Sequence, residues 1–182
     1  MNDDPLEARL IARVQEGDAE AYDALVSKYL RRVVAIAFSI VRNAHDAEDL
    51  AQEAFVKAYQ SIGRFRAGAP FGPWIGRIVT NLAFDVVKHR RRFRHESIDE
   101  IQPSARRDDA DLGAMQRDAA SRIDAALDEL PEMQRIVARL HLVEEMEHAE
   151  IAAVTGLSQG TVRSHLSLAR TKLKAKLADL YD

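Results

Sequence analysis

Residues 149–177 read AEIAAVTGLSQGTVRSHLSLARTKLKAKL, and this stretch admits few folds. Ile151, Ala152 and Val154 form a short apolar helix, and a turn follows at Thr155, Gly156 and Leu157. Ser158 suits an N-cap, because its hydroxyl accepts from the orphan amides of the helix that follows. That helix carries Val162, Leu166, Ala169, Leu173 and Leu177, spaced 4, 3, 4 and 4, which is one apolar stripe. No acid lies between Gln159 and Ala178. The pattern predicts a helix-turn-helix, with small Ala152 at the crossing and Gly156 at the reversal. A basic helix start with small polar residues is what a DNA major groove accepts. A helical hairpin with a solvated basic face is the plainer alternative.

Charge is segregated along the chain. The net charge of −3 is low for a free-standing DNA binder of 182 residues. Yet VVKHRRRFRH (residues 86–95) and residues 163–176 are basic, while residues 46–53, 96–111 and 124–150 are mainly acidic. Such a division suits DNA contact through some faces and a protein partner through others, with weak DNA affinity for the chain alone. There is no cysteine, which excludes disulfides and Cys-based zinc sites or nucleophiles and fits a cytoplasmic location. No apolar run is long enough to span a membrane, and the acidic N-terminus does not read as a signal peptide.

Taken in order, the first helix places Leu6, Leu10, Ile11 and Val14 on one side. Gly17 and Asp18 end it and begin a second helix that extends to Val41. Asp46 is expected to cap a third, with Asp49 completing an acidic capping box and Leu50, Ala54, Phe55, Ala58 and Ile62 facing inward. Four acids in residues 46–53 also suit the positive end of the helix dipole, at about 0.3–1 kcal/mol each. They are more than a cap requires, which admits a basic protein surface as partner.

GRFRAGAPFGP (residues 63–73) holds three Gly and two Pro and must be a loop. Its Phe65 and Phe71 either return to the core or hold an unstacked base beside Arg64 and Arg66. Pro73 suits the first turn of a helix from about Trp74 to Arg91, ending in a basic run that suits phosphate contact. Residues 96–114 are acidic and poor in apolar residues, and read as a flexible linker. Residues 1–95 and 115–182 are then two small domains of an all-α protein. In the second, Ile123, Ala126, Leu127 and Leu130 mark one helix, and Ile136, Val137, Leu140 and Val143 the next. No phosphate loop or nucleophile motif is present, so nothing argues for an enzyme. Glu145-x-x-His148 has the spacing of half a di-iron ligand set, which on its own is mostly accidental.

Three segments carry a family resemblance. DAEDLAQEAFVKAY (residues 46–59) resembles region 2.2 of the sigma-70 family, bacterial transcription initiation subunits, in its extracytoplasmic-function group. FRAGAPFGPWIGRIVTNLAFDVVKHRRR (residues 65–92) resembles regions 2.3 and 2.4. LDELPEMQRIVARLHLVEEMEHAEIAAVTGLSQGTVRSHLSLARTKLK (residues 127–174) resembles region 4. The resemblance implies that Asp46, Glu48, Asp49, Leu50, Gln52, Glu53 and Phe55 dock on the β′ clamp of core RNA polymerase. It implies −10 contacts from the loop residues Arg64, Phe65, Arg66 and Phe71, and from Arg77, Asn81, Lys88, Arg91 and Arg92. It implies −35 contacts from Ser158, Gln159, Thr161, Arg163, Ser164, His165, Ser167 and Arg170. The implied partners are promoter DNA, the polymerase core (β′ clamp and β flap) and an anti-sigma protein; no cofactor or metal is implied. Ser167-Leu168 stands where the family often has a basic or aromatic pair, and Gly76 where it has a bulkier residue. GTVRSHLSLARTKL (residues 160–173) also resembles the recognition helix of LuxR-type regulators, but such a regulator would carry a receiver or ligand domain over residues 46–92, where no βα alternation is visible. A helical adaptor without DNA function leaves the basic helices unexplained.

Overall fold

The structure is a computed structural model that describes residues 5–66, 68–94 and 114–178, with no side-chain detail for residues 91, 93, 94 and 114–120. Among these residues there is no strand, and the chain divides into two compact units. One is centred on four helices: α1 (Pro5–Gln15), α2 (Ala19–Val41), α3 (Ala44–Ser61) and α4 (Phe71–Arg94). The other is centred on α5 (Ala114–Asp128), α6 (Glu132–Leu142), most of α7 (His148–Thr155) and α8 (Gln159–Lys176). All but Ala114 of the expected linker lies outside the described residues.

In the first unit α2 is the central post. Asp18 caps it by accepting from Ala21 N at 3.1 Å, and it buries Leu25, Val33, Ile36, Ala37 and Ile40. Leu25 is fully buried, and a side chain of that size contributes about 1.5–3 kcal/mol when removed from water. The facing stripe of α3 is rich in alanine: Ala47, Ala51, Ala54 and Ala58 are all fully buried. Small side chains let helix backbones approach closely, and Leu50 and Phe55 fill the remaining space. Tyr22 closes the α2–α3 contact by donating to Phe55 O at 2.5 Å. From α4 come Ile75, Val79 and Ala83, each fully buried and one turn apart.

Three expectations are corrected here. On α1 the buried stripe is Glu7, Ile11 and Val14, while Leu6 is 65% exposed. The residue that caps α3 is Asn43, whose side chain accepts from Asp46 N at 3.0 Å; the helix thus starts two residues before Asp46, which cannot cap it. And α4 begins at Phe71, with Pro73 as its third residue. The first four amides of a helix have no partner within it, so proline is tolerated there.

The second unit agrees more closely with expectation. Ala126, Leu127, Leu130, Ala138, Ala169 and Leu173 form one apolar cluster, with Leu177 packed against it. Gly156 adopts φ +75° and its N–H returns to Ala152 O at 3.0 Å. That left-handed residue reverses the chain into Ser158, whose hydroxyl accepts from Thr161 N at 3.0 Å. Met146 is buried in the connection before α7 and donates its N–H to Leu140 O at 2.9 Å. Glu145 lies in the same connection at φ +52°, so Glu145 and His148 do not share a helix face. No three His, Asp or Glu side chains among the described residues gather to hold a metal ion.

Candidate nucleic-acid and partner interface

The sequence-predicted residues of α3 separate into two sets. Glu48, Asp49, Gln52 and Glu53 are exposed. Leu50 and Phe55 are 6% and 5% exposed; they hold the helix against the core and present the acids without being available themselves. Two of the exposed acids have solvated partners on their own helix, His45 with Asp49 at 3.6 Å and Lys57 with Glu53 at 3.0 Å. Asp46 differs, because its Oδ2 is 2.7 Å from Arg90 Nη2 of α4. The acidic face continues into Val56 and Tyr59, 56% and 45% exposed, which periodicity alone did not single out.

The loop after α3 opens with a 3₁₀ turn, Ile62–Arg64. Phe65 and Phe71 are buried, so their rings belong to the core and are not available to stack on a base. Phe65 packs on Trp74 at 4.7 Å between ring centroids, and Phe71 on Tyr29 at 5.4 Å. The aromatic cluster leaves the Arg64 and Arg66 side chains exposed. Trp74 is half-buried within it. Gly76 marks a close helix crossing, since a Cβ there would come within 3.3 Å of Ile36 Cδ1.

On α4 the exposed Arg77, Asn81, Lys88 and Arg92 are spaced 4, 7 and 4. They form one stripe opposite Ile75, Val79 and Ala83, with one acid, Asp85, exposed among them. The Arg91 side chain lies outside the described residues.

On α8 the buried residues are Val162, Leu166, Ala169 and Leu173. Gln159, Arg163, Ser164, Ser167 and Arg170 are exposed, and Thr161 and His165 are half-buried. Two hydroxyls already have backbone partners: Ser158 is the cap, and Ser164 donates to Gly160 O at 3.1 Å. Arg170 reaches His141 of α6, with Nη2 3.2 Å from Nε2. Arg163 is thus the exposed cation nearest the helix start, where the dipole and the absence of acids both favour a phosphate or a base edge.

Two buried charges escaped the sequence reading. Glu7 is 2% exposed and accepts from Lys28 Nζ at 2.8 Å, from Tyr29 OH and from Phe71 N at 3.2 Å. Burial pushes its carboxyl up, but these donors outweigh burial and its pKa is lowered. Burial pushes the Tyr29 hydroxyl up to about 12, with the Glu7 contact adding to it. Arg139 is 3% exposed and binds Asp124 at 2.7 Å and Asp128 at 3.0 Å.

Comparison with known proteins follows the same division. Sigma-70 region 2 matches residues 25–93, and Sigma-70, region 4 matches residues 120–173. The RNA polymerase sigma-H factor of Pseudomonas aeruginosa is 34% identical over 182 residues, covering 94% of each chain. The ECF RNA polymerase sigma factor SigE of Mycolicibacterium smegmatis is 35% identical over 160 residues, 87% of this chain and 62% of that protein's length. Among solved structures, the sigma factor RpoE in complex with the anti-sigma factor NepR from Bartonella quintana aligns with a TM-score of 0.73 and 25% identity, covering 86% of this chain and 96% of that one. CnrH in complex with the cytosolic domain of CnrY aligns at 0.69 and 26%, covering 96% and 98%. The region 2 match occupies the span where a LuxR-type regulator would carry its sensing domain, and that alternative is set aside. With both regions in order and relatives above 30% identity along nearly its full length, the chain belongs to the sigma-70 family as an ECF RNA polymerase sigma factor.

Proposed function

We propose that the chain works by two-point promoter recognition on core RNA polymerase, with each contact placed on a separate helix. The exposed acids of α3, continued by Val56 and Tyr59, dock on the basic clamp of the β′ subunit. The region 4 unit rests on the β flap and lays the start of α8, with Arg163 foremost, in the major groove of the −35 element. Arg77, Asn81, Lys88, Arg91 and Arg92, together with Arg64 and Arg66, track the unpaired −10 strand. Phe65 and Phe71 shape that loop from inside. No helix among the described residues is long and apolar enough to cross a membrane, and action on the transcription machinery places the chain in the cytoplasm. It makes and breaks no bond. The similar sigma factor solved with the anti-sigma factor NepR supports control by a protein that covers the same docking faces.

The observation that carries this reading is the opposed charge of two exposed faces: four solvent-facing polar and acidic residues on α3, and an α8 without a single acid. Run-off transcription tests it, using bacterial core polymerase and a pool of random promoter sequences. New start sites that depend on the chain are expected; no such sites, together with no binding to core, would overturn it.

A further inference from the structure

The first helix touches the loop after α3 at both of its ends. At the C-terminal end of α1, Gln15 Nε2 donates to Ile62 O at 2.9 Å and to Phe65 O at 3.1 Å. At its N-terminal end, Glu7 Oε1 accepts from Phe71 N at 3.2 Å. The two residues are eight positions apart, about 12 Å along a helix. Between the points they hold lie Arg64 and Arg66, both exposed.

Each contact is chemically specific. One carboxamide donates to two carbonyls on the same turn, adding a second donor to Ile62 O, which already accepts from Phe65 N at 3.0 Å, and tying Phe65 O to α1. At position 7 a buried carboxylate is a costly choice, since a buried ion pair is often replaceable by apolar packing without loss of stability. Its return here is directional: it satisfies an orphan amide at the start of α4 and so fixes where the loop ends. Lys28 and Tyr29 of α2 occupy its other oxygen and hold the carboxylate in place.

We propose that Glu7 and Gln15 are positioning residues for −10 recognition, a clasp on α1 that fixes both ends of the loop bearing Arg64 and Arg66. The inference rests on the two-point reading above. A loop that must meet one unstacked base cannot wander, because misplacement forfeits contacts that offset unstacking. The clasp supplies that fixity from a helix which itself need not touch DNA.

The test uses full-length chain, bacterial core polymerase and a promoter recovered from the random pool. Run-off rates are measured on the parent template and on templates with single-base changes in either the −10 or the −35 element. Gln15→Met keeps the side-chain length and removes both donors. It is expected to reduce discrimination at −10 by tenfold or more, while −35 discrimination and core affinity stay within twofold. Glu7→Leu is expected to do the same if it folds; if it does not, Gln15→Met decides alone. An equal fall on all templates with −10 discrimination intact would overturn the clasp and leave a structural role. If the unsubstituted chain gives no dependent transcripts, the two-point reading fails first and the clasp with it.

Discussion

Arg90 Nη2 lies 2.7 Å from Asp46 Oδ2, joining the basic end of α4 to the first turn of α3. The pair sets Asp46 apart from the other acids of its helix. Asp46 is 25% exposed and already paired, whereas Asp49 and Glu53 are 62% and 50% exposed and lie beside solvated neighbours, His45 and Lys57. A cationic partner surface would meet the latter two first.

Removing the charge should therefore divide the three. Asp49→Asn and Glu53→Gln are expected to lower core polymerase affinity by fivefold or more. Asp46→Asn is expected to change it less than threefold, and stability by about 0.2–1 kcal/mol, the range of a half-exposed ion pair. Titration of labelled chain against core polymerase measures the difference. Equal losses at all three positions would show that the Arg90 pair opens on docking.

Burial separates the loop's aromatics from its cations in the same way. Phe71→Ala empties a fully buried site and is expected to cost about 3–5 kcal/mol. Arg64→Ala and Arg66→Ala should change stability by less than about 0.5 kcal/mol, since both are exposed. In promoter opening the order reverses: the arginine variants should unfold at the parent's temperature yet lose open complex, with the deficit relative to the parent chain shrinking as salt rises. Thermal unfolding and permanganate reactivity of the −10 strand give the two readouts.

The turn of the helix-turn-helix rests on Gly156 at φ +75°. Any side chain there meets the left-handed penalty, so Gly156→Ala should cost about 1–2 kcal/mol. Gly156→Asn should cost less, because asparagine tolerates that conformation. If the turn sets the angle of α8, −35 discrimination falls with Gly156→Ala while −10 discrimination is kept. Run-off rates on templates altered in each element check this.

The Glu7 carboxyl is held below its ordinary value of 4.5. A carboxyl with a lowered folded pKa contributes stability that is present above its unfolded value and lost as pH falls through the folded one. The chain should therefore lose melting temperature more steeply than Glu7→Gln does as the pH falls below 4.5. Parallel slopes for the two proteins would show that the Lys28, Tyr29 and Phe71 donors do not depend on the charge.

Much of this arrangement was legible in the sequence where one signal dominated. The α8 stripe, its Ser158 cap and the Gly156 turn each follow from a local rule, and all three recur in the structure. The errors arose where hydrophobicity and geometry disagree. Leu6 is apolar and faces water; Glu7 is charged and faces the core, one turn before Ile11. Counting apolar residues favours the wrong neighbour, and only the donors waiting on α2 and α4 make the acid acceptable. Arg90 was hidden in a basic run, yet it continues the inward spacing of Val79, Ala83 and Val86 by one turn, which could have marked it as facing α3. Asp46 looked like a cap because it is acidic and near a break, but Asn43 stands where the backbone leaves the extended region. The site was readable as charge; which acids and aromatics are free to act was not, because burial is a tertiary property.

Arg139 gives the sharpest energetic asymmetry. Its side chain is 3% exposed, while its partners Asp124 and Asp128 are 39% and 35% exposed. Removing the guanidinium leaves two carboxylates that water can reach, so Arg139→Met should cost about 1–3 kcal/mol, the value of the lost charged hydrogen bonds. Removing the carboxylates instead leaves a cation in the core of the unit with no counter-charge from α5. The double variant Asp124→Ala, Asp128→Ala should then cost about 3–5 kcal/mol, more than loss of the arginine itself. Adding Arg139→Met to that double variant should restore stability rather than lower it further, because it removes the stranded charge. Urea unfolding of the four proteins measures the cycle. A triple variant less stable than the double would mean that Arg139 is held by packing of its stem, not by the two aspartates.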